Sequence, residues 1–234
     1  MQKAKGVTVV QGSVTGRLVV YKANQYLIDE NEILDIDAEV ERFESALSKT
    51  VNDQNEIFEE MSMSEPAKEC ADIFKAHAMI LQDEFLRGRM IEMIREQKKS
   101  AEFAVETVLN SQAQMFEQMD DAYMQARAAD IYDVKQEVLN VMCGSNEQSY
   151  EGTEPMIILA EDLTPSELVR LNKIQIAGII TTKGSADSHM AILAKSMNIP
   201  TIIMCDDIVN KWAGKIAFID GNESSVFVEM QEYI

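Results

Sequence analysis

Hydrophobic and polar positions alternate in three regimes along the chain. Short β-like runs at residues 7–10 and 17–21 flank residues 11–16, where Gly12 and Gly16 suit a turn. From residue 37 to about 63, Val40, Phe43, Leu47, Val51, Ile57, Phe58 and Met61 recur near helical spacing among Glu, Asp, Lys and Gln, which predicts one long amphipathic helix. Amphipathic segments follow at 67–82, 84–96, 100–118 and 122–143, and their short joints imply an antiparallel bundle. A polar stretch at 144–153 has linker composition. Behind it the pattern reads strand 155–160, helix 166–171, strand 174–182, helix 188–197 and strand 201–204. Two further strands, 215–220 and 224–229, are joined by Gly221, Asn222 and Glu223.

An isolated pair of strands is marginal in water, so the N-terminal runs are expected to join the C-terminal sheet. The fold class is therefore mixed α/β and α+β: residues 1–34 and 145–234 form one α/β domain, and residues 35–144 form an inserted helical bundle. At 234 residues and 46% hydrophobic content the chain is long and apolar enough for real cores.

Twenty-one basic residues against 40 acidic ones give a formal charge of −19, which disfavours nucleic acid and anionic lipid and favours a basic protein surface. The same excess serves solubility alone. Cys70, Cys143 and Cys205 are widely spaced with no CxxC pair, so neither a disulfide framework nor a zinc site is expected, and a reducing cytoplasm is. Residues 1–5 carry no apolar leader, and no apolar run approaches membrane-spanning length, so neither secretion nor membrane insertion is expected.

Only two histidines occur, His77 and His189. His189 stands where a β-branched run, a Gly-containing loop and a small polar residue lead into an apolar-periodic helix. A helix's first turn has backbone N–H groups without intrahelical partners and the positive end of its dipole, which favours a bound anion by roughly 0.3–1 kcal/mol. Gly184, Ser185, Ala186 and Ser188 leave room beside the ring, while Ile192, Leu193 and Met197 supply the packing face. A neutral imidazole there is a nucleophile able to form a phosphoramidate. The two histidines lie far apart in sequence on different elements, so no metal site is expected.

Gly184, Ser188-His189, Ala191-Ile192, Ala194 and Pro200 resemble the phosphohistidine signature of the phosphoenolpyruvate (PEP)-utilising enzymes. Residues 72–84 and 120–131, with Asp162-Leu163-Thr164-Pro165-Ser166-Glu167, resemble one branch of it, enzyme I of the sugar phosphotransferase system, the PEP-protein phosphotransferases. The resemblance runs through nearly the whole chain. It implies a swivelling phosphohistidine β/α domain with an inserted helical domain, an N-terminal portion of such an enzyme. His189 then takes a phosphoryl group from PEP through Nε2 and passes it to a histidine of the small phosphocarrier HPr, which docks on the helical insertion. Matching positions make His77, Met79, Ile80, Leu86, Met124 and Arg127 the candidate contacts, with Glu69 and Glu84 as an acidic rim.

Each of these positions has a second reading. Met and Ile at helical spacing also suit a bundle core, acidic neighbours suit a solvated face, and His77 suits a buried, hydrogen-bonded histidine. Thr164 resembles the family's threonine that reaches the imidazole, yet Thr164-Pro165-Ser166-Glu167 also spells a capping box. Lys195 stands where the family has arginine: it neutralises phosphate as a point charge without the bidentate fork, or is simply a surface residue. Gly184, Asp187 and Ser188 form the active-site loop.

Around the nucleophile the chain departs from the family's pattern, with Ser185, Ala186 and Asp187 replacing a glycine, a basic residue and a hydroxyl. Asp187 can cap the helix or bond the imidazole, and it also repels phosphate. The resemblance further implies a C-terminal barrel that binds PEP and Mg2+ and supplies the dimer contact; nothing in these 234 residues resembles it, and no cofactor is expected in this segment. Labelling by PEP alone is therefore expected to be inefficient, while exchange with phospho-HPr is expected. The competing readings are an enzyme-I-like phosphocarrier of another pathway, such as a dihydroxyacetone kinase phosphoryl donor, and a non-catalytic docking module.

Overall fold

The computed structural model describes residues 2–30, 32–63, 67–144, 154–174, 176–205 and 212–229. The chain divides into two compact units, Met1–Ala23 with Gln148–Ile234, and Asn24–Glu147. The first crossing falls at Ala23/Asn24 rather than at 34/35, because Tyr26, Ile28 and Ile33 pack against the helical core.

The first unit is built on an eight-stranded sheet among the described residues. Its strands are β1 (Gln2–Lys5), β2 (Val7–Val10), β3 (Ser13–Val20), β4 (Met156–Ala160), β5 (Gly178–Thr181), β6 (Thr201–Ile203), β7 (Ile216–Asp220) and β8 (Ser225–Val228), in the order β1-β8-β7-β3-β4-β5-β6-β2. Strands β3, β4, β5 and β6 run parallel; the pairs β3/β7, β7/β8, β8/β1 and β6/β2 are antiparallel. Gly6 alone separates β1 from β2, the two edge strands, so the sheet curls until its edges meet. Alternate residues fill the enclosed face: Ile157 and Leu159, Ala217 and Ile219, Val226 and Val228, with Leu18, Ile180 and Trp212. The strands of the N-terminal segment thus pair with the C-terminal sheet. They do not form a hairpin with each other, since β2 joins β6 while β3 lies between β4 and β7.

Parallel neighbours need crossover connections, and helices supply them here: α6 (Pro165–Asn172) leads from β4 to β5 and α7 (His189–Ser196) from β5 to β6. Both helices therefore begin at the carboxyl ends of adjacent strands. Their buried faces, Leu168, Val169 and Leu171 of α6 and Met190, Leu193 and Ala194 of α7, explain why β4 and β5 are apolar at nearly every position rather than alternating.

The second unit holds α1 (Ile36–Ser62), α2 (Lys68–Leu81), α3 (Glu84–Gln97), α4 (Ala101–Glu117) and α5 (Ala122–Cys143). Asp35, Asp83, Ser100 and Asp121 each accept a backbone N–H of the helix that follows, so four of the five starts are capped by a side chain. Phe43, Leu47, Met90, Ile94, Val105, Val108, Ile131, Val134 and Val138 make a continuous core. Arg42 of α1 pairs with Glu39 and, at 2.6 Å, with Glu102 of α4, so one guanidinium ties two helices.

Close approach within a strand is sharp at Gly16 of β3, where a Cβ would lie 2.5 Å from the Pro155 carbonyl oxygen, a backbone atom. Gly16→Ala is expected to destabilise the protein by about 1–3 kcal/mol. A lower urea midpoint for the variant checks this; an unchanged midpoint contradicts it.

Candidate functional site

Two loops and two helix starts meet at the carboxyl edge of β4 and β5. After β5 the chain turns through residues 182–188, with Gly184 at φ +109°, a left-handed value that a side chain tolerates poorly. A Cβ on Gly184 would also stand 3.2 Å from Oδ1 of Asp162, in the loop after β4, so this glycine lets the loops lie against each other. Backbone bonds hold them there: Thr182 N–H donates to Ala160 and Lys183 N–H to Glu161, at 3.1 and 2.8 Å, and the Lys183 ammonium pairs with the Glu161 carboxylate. The Thr181 hydroxyl donates to the Lys183 carbonyl at 2.6 Å, closing the turn from beneath.

Ser188 is the N-cap of α7, accepting the Ala191 N–H at 3.2 Å, and His189 is the helix's first residue. His189 is half-buried. Asp187 is exposed, and its N–H donates to Ser185 Oγ at 3.3 Å. Lys195 does not extend away from the site. Its ammonium returns along α7 to the Ala186 carbonyl at 3.1 Å, which places a positive charge on the loop that carries the histidine.

Thr164 occupies the equivalent place on α6. Its hydroxyl accepts the Glu167 N–H at 3.2 Å and its own N–H donates to Glu167 Oε2 at 2.9 Å, so the capping box is complete. α6 packs against α7, and both capped helix starts lie at the carboxyl edge of the sheet. Burial pushes the Asp162 carboxyl above the usual carboxylate range, against the opposing Leu163 N–H and Lys183 charge. Among the described residues no three His, Cys, Asp or Glu side chains gather where they could hold a metal. Nor is any described helix long and apolar enough to cross a membrane.

Residues 5–127 match the family model described as PEP-utilising enzyme, N-terminal, and residues 152–224 match PEP-utilising enzyme, mobile domain. The chain belongs to the PEP-utilising enzyme family. Its similar curated relatives include the phosphoenolpyruvate-protein phosphotransferases of Priestia megaterium (33% identity, 99% of this chain and 40% of that one) and Listeria monocytogenes (32%, 99% and 41%). The chain thus spans about two fifths of the length of these relatives. Among solved structures, an NMR solution structure of Enzyme I superposes with a TM-score of 0.76 at 29% identity, covering 98% of this chain and 94% of that one. The structure titled N-terminal domain of Enzyme 1 - Nitrogen shares the fold at 24% identity, with a TM-score of 0.73 over 96% and 93% of the two chains.

In this PEP-utilising enzyme chain the proposed docking residues separate into two groups. His77 is 0% exposed, with Nδ1 3.2 Å from Gln54 Oε1 and the Asp130 and Asp133 carboxylates at 3.6 and 3.9 Å from the ring nitrogens. Leu86 is 7% exposed and belongs to the bundle core. Both are corrections to the expectation of surface contacts: each faces inward on its helix, and an apolar or ring residue at helical spacing does not reveal its face without the partner helix. Met79 is 65% exposed, Glu84 is exposed, and Ile80, Met124 and Arg127 are half-buried. Arg127 bonds Asp130 Oδ2 at 2.9 Å and the Tyr123 hydroxyl at 2.6 Å and lies over the Tyr123 ring, with its guanidinium pKa raised by those two hydrogen bonds. The Glu69 side chain lies outside what the structure describes.

Two apolar side chains that the sequence reading passed over are as open as Met79. Phe85 is 69% exposed, one residue into α3, and Tyr123 is 65% exposed near the start of α5. Both follow a capping aspartate within two residues, Asp83 and Asp121, and a ring placed in the solvated first turn after a cap is the signal that could have found them.

His77→Leu removes the buried imidazole that Gln54, Asp130 and Asp133 face, and a loss of about 1–3 kcal/mol is expected. Met79→Ala is expected to stay within about 0.5 kcal/mol of the parent, as an exposed truncation. Equal denaturation midpoints for the two variants would contradict the assignment of one to the core and the other to the surface.

Proposed function

We propose that this segment carries the phosphoryl relay of a PEP-protein phosphotransferase, with His189 as the covalent carrier and the histidine-bearing phosphocarrier HPr as its partner. The observation that carries the reading is the place of His189: the first residue of α7, half-exposed, at the carboxyl edge of two parallel strands. That edge is where α/β sheets bind ligands, and the unbonded N–H groups of a helix start favour a phosphoryl anion.

In the first step the imidazole Nε2 attacks phosphorus in line. The N–P bond forms as the bond to the bridging oxygen breaks, and enolpyruvate leaves with the electron pair. In the second, a partner imidazole attacks the same phosphorus and the N–P bond breaks. Splitting the transfer this way lets one ring serve two partners, with positioning and charge stabilisation lowering each barrier. Lys195, holding the Ala186 carbonyl, offsets phosphoryl charge and the nearby Asp187. Thr164, at the neighbouring helix start, offers its hydroxyl proton to the ring or to a phosphoryl oxygen.

PEP itself and Mg2+ belong, on this reading, to a C-terminal domain beyond these residues, and the relay works in the cytoplasm. The helical unit supplies the docking surface. Open Met79 and Phe85 flank the joint at Gln82–Asp83, with acidic Asp83 and Glu84 between them, and a chain of net charge −19 suits a partner with a basic rim.

Mixing the chain with phospho-HPr tests this by intact mass. One acid-labile phosphoryl group is expected on the parent and none on His189→Ala, while Met79→Lys and Phe85→Lys are each expected to raise the KM for phospho-HPr about tenfold, as for lost contacts of about 1.4 kcal/mol. A parent that gains no mass, or a His189→Ala variant that still does, overturns the proposal and leaves a docking module.

A further inference from the structure

We propose that Tyr21 and Glu167 are positioning residues for the phosphohistidine site, holding the Thr164 hydroxyl so that its proton points to the His189 imidazole or to the phosphoryl group it carries. This rests on the reading of His189 as the carrier. A capping-box glutamate normally sits in water, but Glu167 is 3% exposed, and both its carboxylate oxygens are engaged. Oε2 accepts the Thr164 N–H at 2.9 Å, and Oε1 accepts the Tyr21 hydroxyl at 3.0 Å. Tyr21 follows the last residue of β3, and its backbone N–H donates to Leu159 of β4 at 2.8 Å, so the phenol is fixed from a strand outside the α6 turn that it braces.

Arg170, three residues beyond Glu167 in α6, also hydrogen-bonds the phenol. Burial first, and the Glu167 charge second, lift the phenol well above its usual pKa against the Arg170 charge, so it stays protonated and keeps donating to Glu167. The chain of bonds then ends at Thr164. A hydroxyl has one proton and two lone pairs. The Glu167 N–H occupies a lone pair at 3.2 Å, and the backbone N–H of Thr164 is committed to Oε2, which leaves the hydroxyl proton as the remaining donor of this residue. Because α6 and α7 follow adjacent parallel strands and pack together, that donor lies at the same edge of the sheet as the helix start that bears His189. A buried carboxylate held by a tyrosine from a third strand is a costly way merely to cap a helix of eight residues, and a direct way to fix a hydroxyl's direction.

The test uses Tyr21→Phe, Thr164→Val and the double variant in the full 234-residue chain, with two readouts: the ring-nitrogen chemical shifts of His189 without phosphate, and the kinetics of transfer from phospho-HPr. Tyr21→Phe is expected to shift the ring-nitrogen pattern in the same direction as Thr164→Val. It should also lower kcat about fivefold, the size of one net hydrogen bond, with KM unchanged. Adding Tyr21→Phe to Thr164→Val is expected to change neither readout further. Glu167→Gln, which keeps an acceptor for the Thr164 N–H, is expected to retain more activity than Glu167→Ala. A Tyr21→Phe variant that loses melting temperature alone, with ring-nitrogen shifts and kcat as in the parent, overturns the proposal, as do effects that add to those of Thr164→Val. If the parent takes up no phosphoryl group the relay reading fails, and the ring-nitrogen shifts still decide the positioning claim because they need no donor.

Discussion

The parallel run of β3, β4, β5 and β6 is the constraint on which the rest of the α/β unit depends. Each crossover between parallel neighbours returns the chain to the same edge, so α6 and α7 start together at the carboxyl ends of β4 and β5. Their first turns bring unpaired backbone N–H groups to that edge, and the local chemistry follows from serving them. Ser188 and Thr164 each satisfy one N–H by a side-chain oxygen, while Gly184, with its left-handed backbone, lets the connecting loops close over the strand ends. His189 is carried to the open side of this arrangement because it is the first helical residue rather than one a turn further in, where Met190, Leu193 and Ala194 are buried.

The helical unit meets a different demand. Five helices pack around a shared core, and the open apolar residues Met63, Met79, Phe85, Met115 and Tyr123 sit near helix ends. Met79 and Phe85 are exposed on either side of Asp83 and Glu84, while His77, two positions before Met79 on α2, is buried with Gln54, Asp130 and Asp133 around it. One helix thus carries a buried polar network and an exposed methionine within a single turn. Burial of this kind adds specificity of packing at the expense of solvation, and it makes the bundle depend on the imidazole remaining in place.

Much of this was legible in the residues. The long stripe from Val40 to Met61, the capping signals at Thr164 and Ser188, and the β-branched run before Gly184 mark elements whose periods and caps are local properties, and the structure forms a helix or strand at each. Strand β1 was not legible, since of Gln2–Lys5 only Ala4 is buried and the strand exists through its pairing with β8, more than two hundred residues away. The N-terminal runs were expected to join the C-terminal sheet and do, but which strands they meet, β6 for β2 and β4 for β3, was not readable from the glycine turn between them. At the site, His189 was visible from its place between strand and helix. The inward turn of His77 and Leu86 and the Tyr21 to Glu167 bond were not, because each depends on which face meets a distant element. Lys195 shows the intermediate case: its charge was readable, but its return to the Ala186 carbonyl required the loop.

The central claim is that one ring nitrogen, that of His189, bears the migrating phosphoryl group. Phosphorus-to-nitrogen coupling, measured on 15N-labelled chain after exchange with phospho-HPr, addresses it directly. The account predicts a coupled phosphorus resonance on the His189 Nε2 and no coupling at the buried His77 ring. A phosphoryl resonance coupled to any other residue, or an uncoupled His189 beside a fully labelled partner, would contradict it.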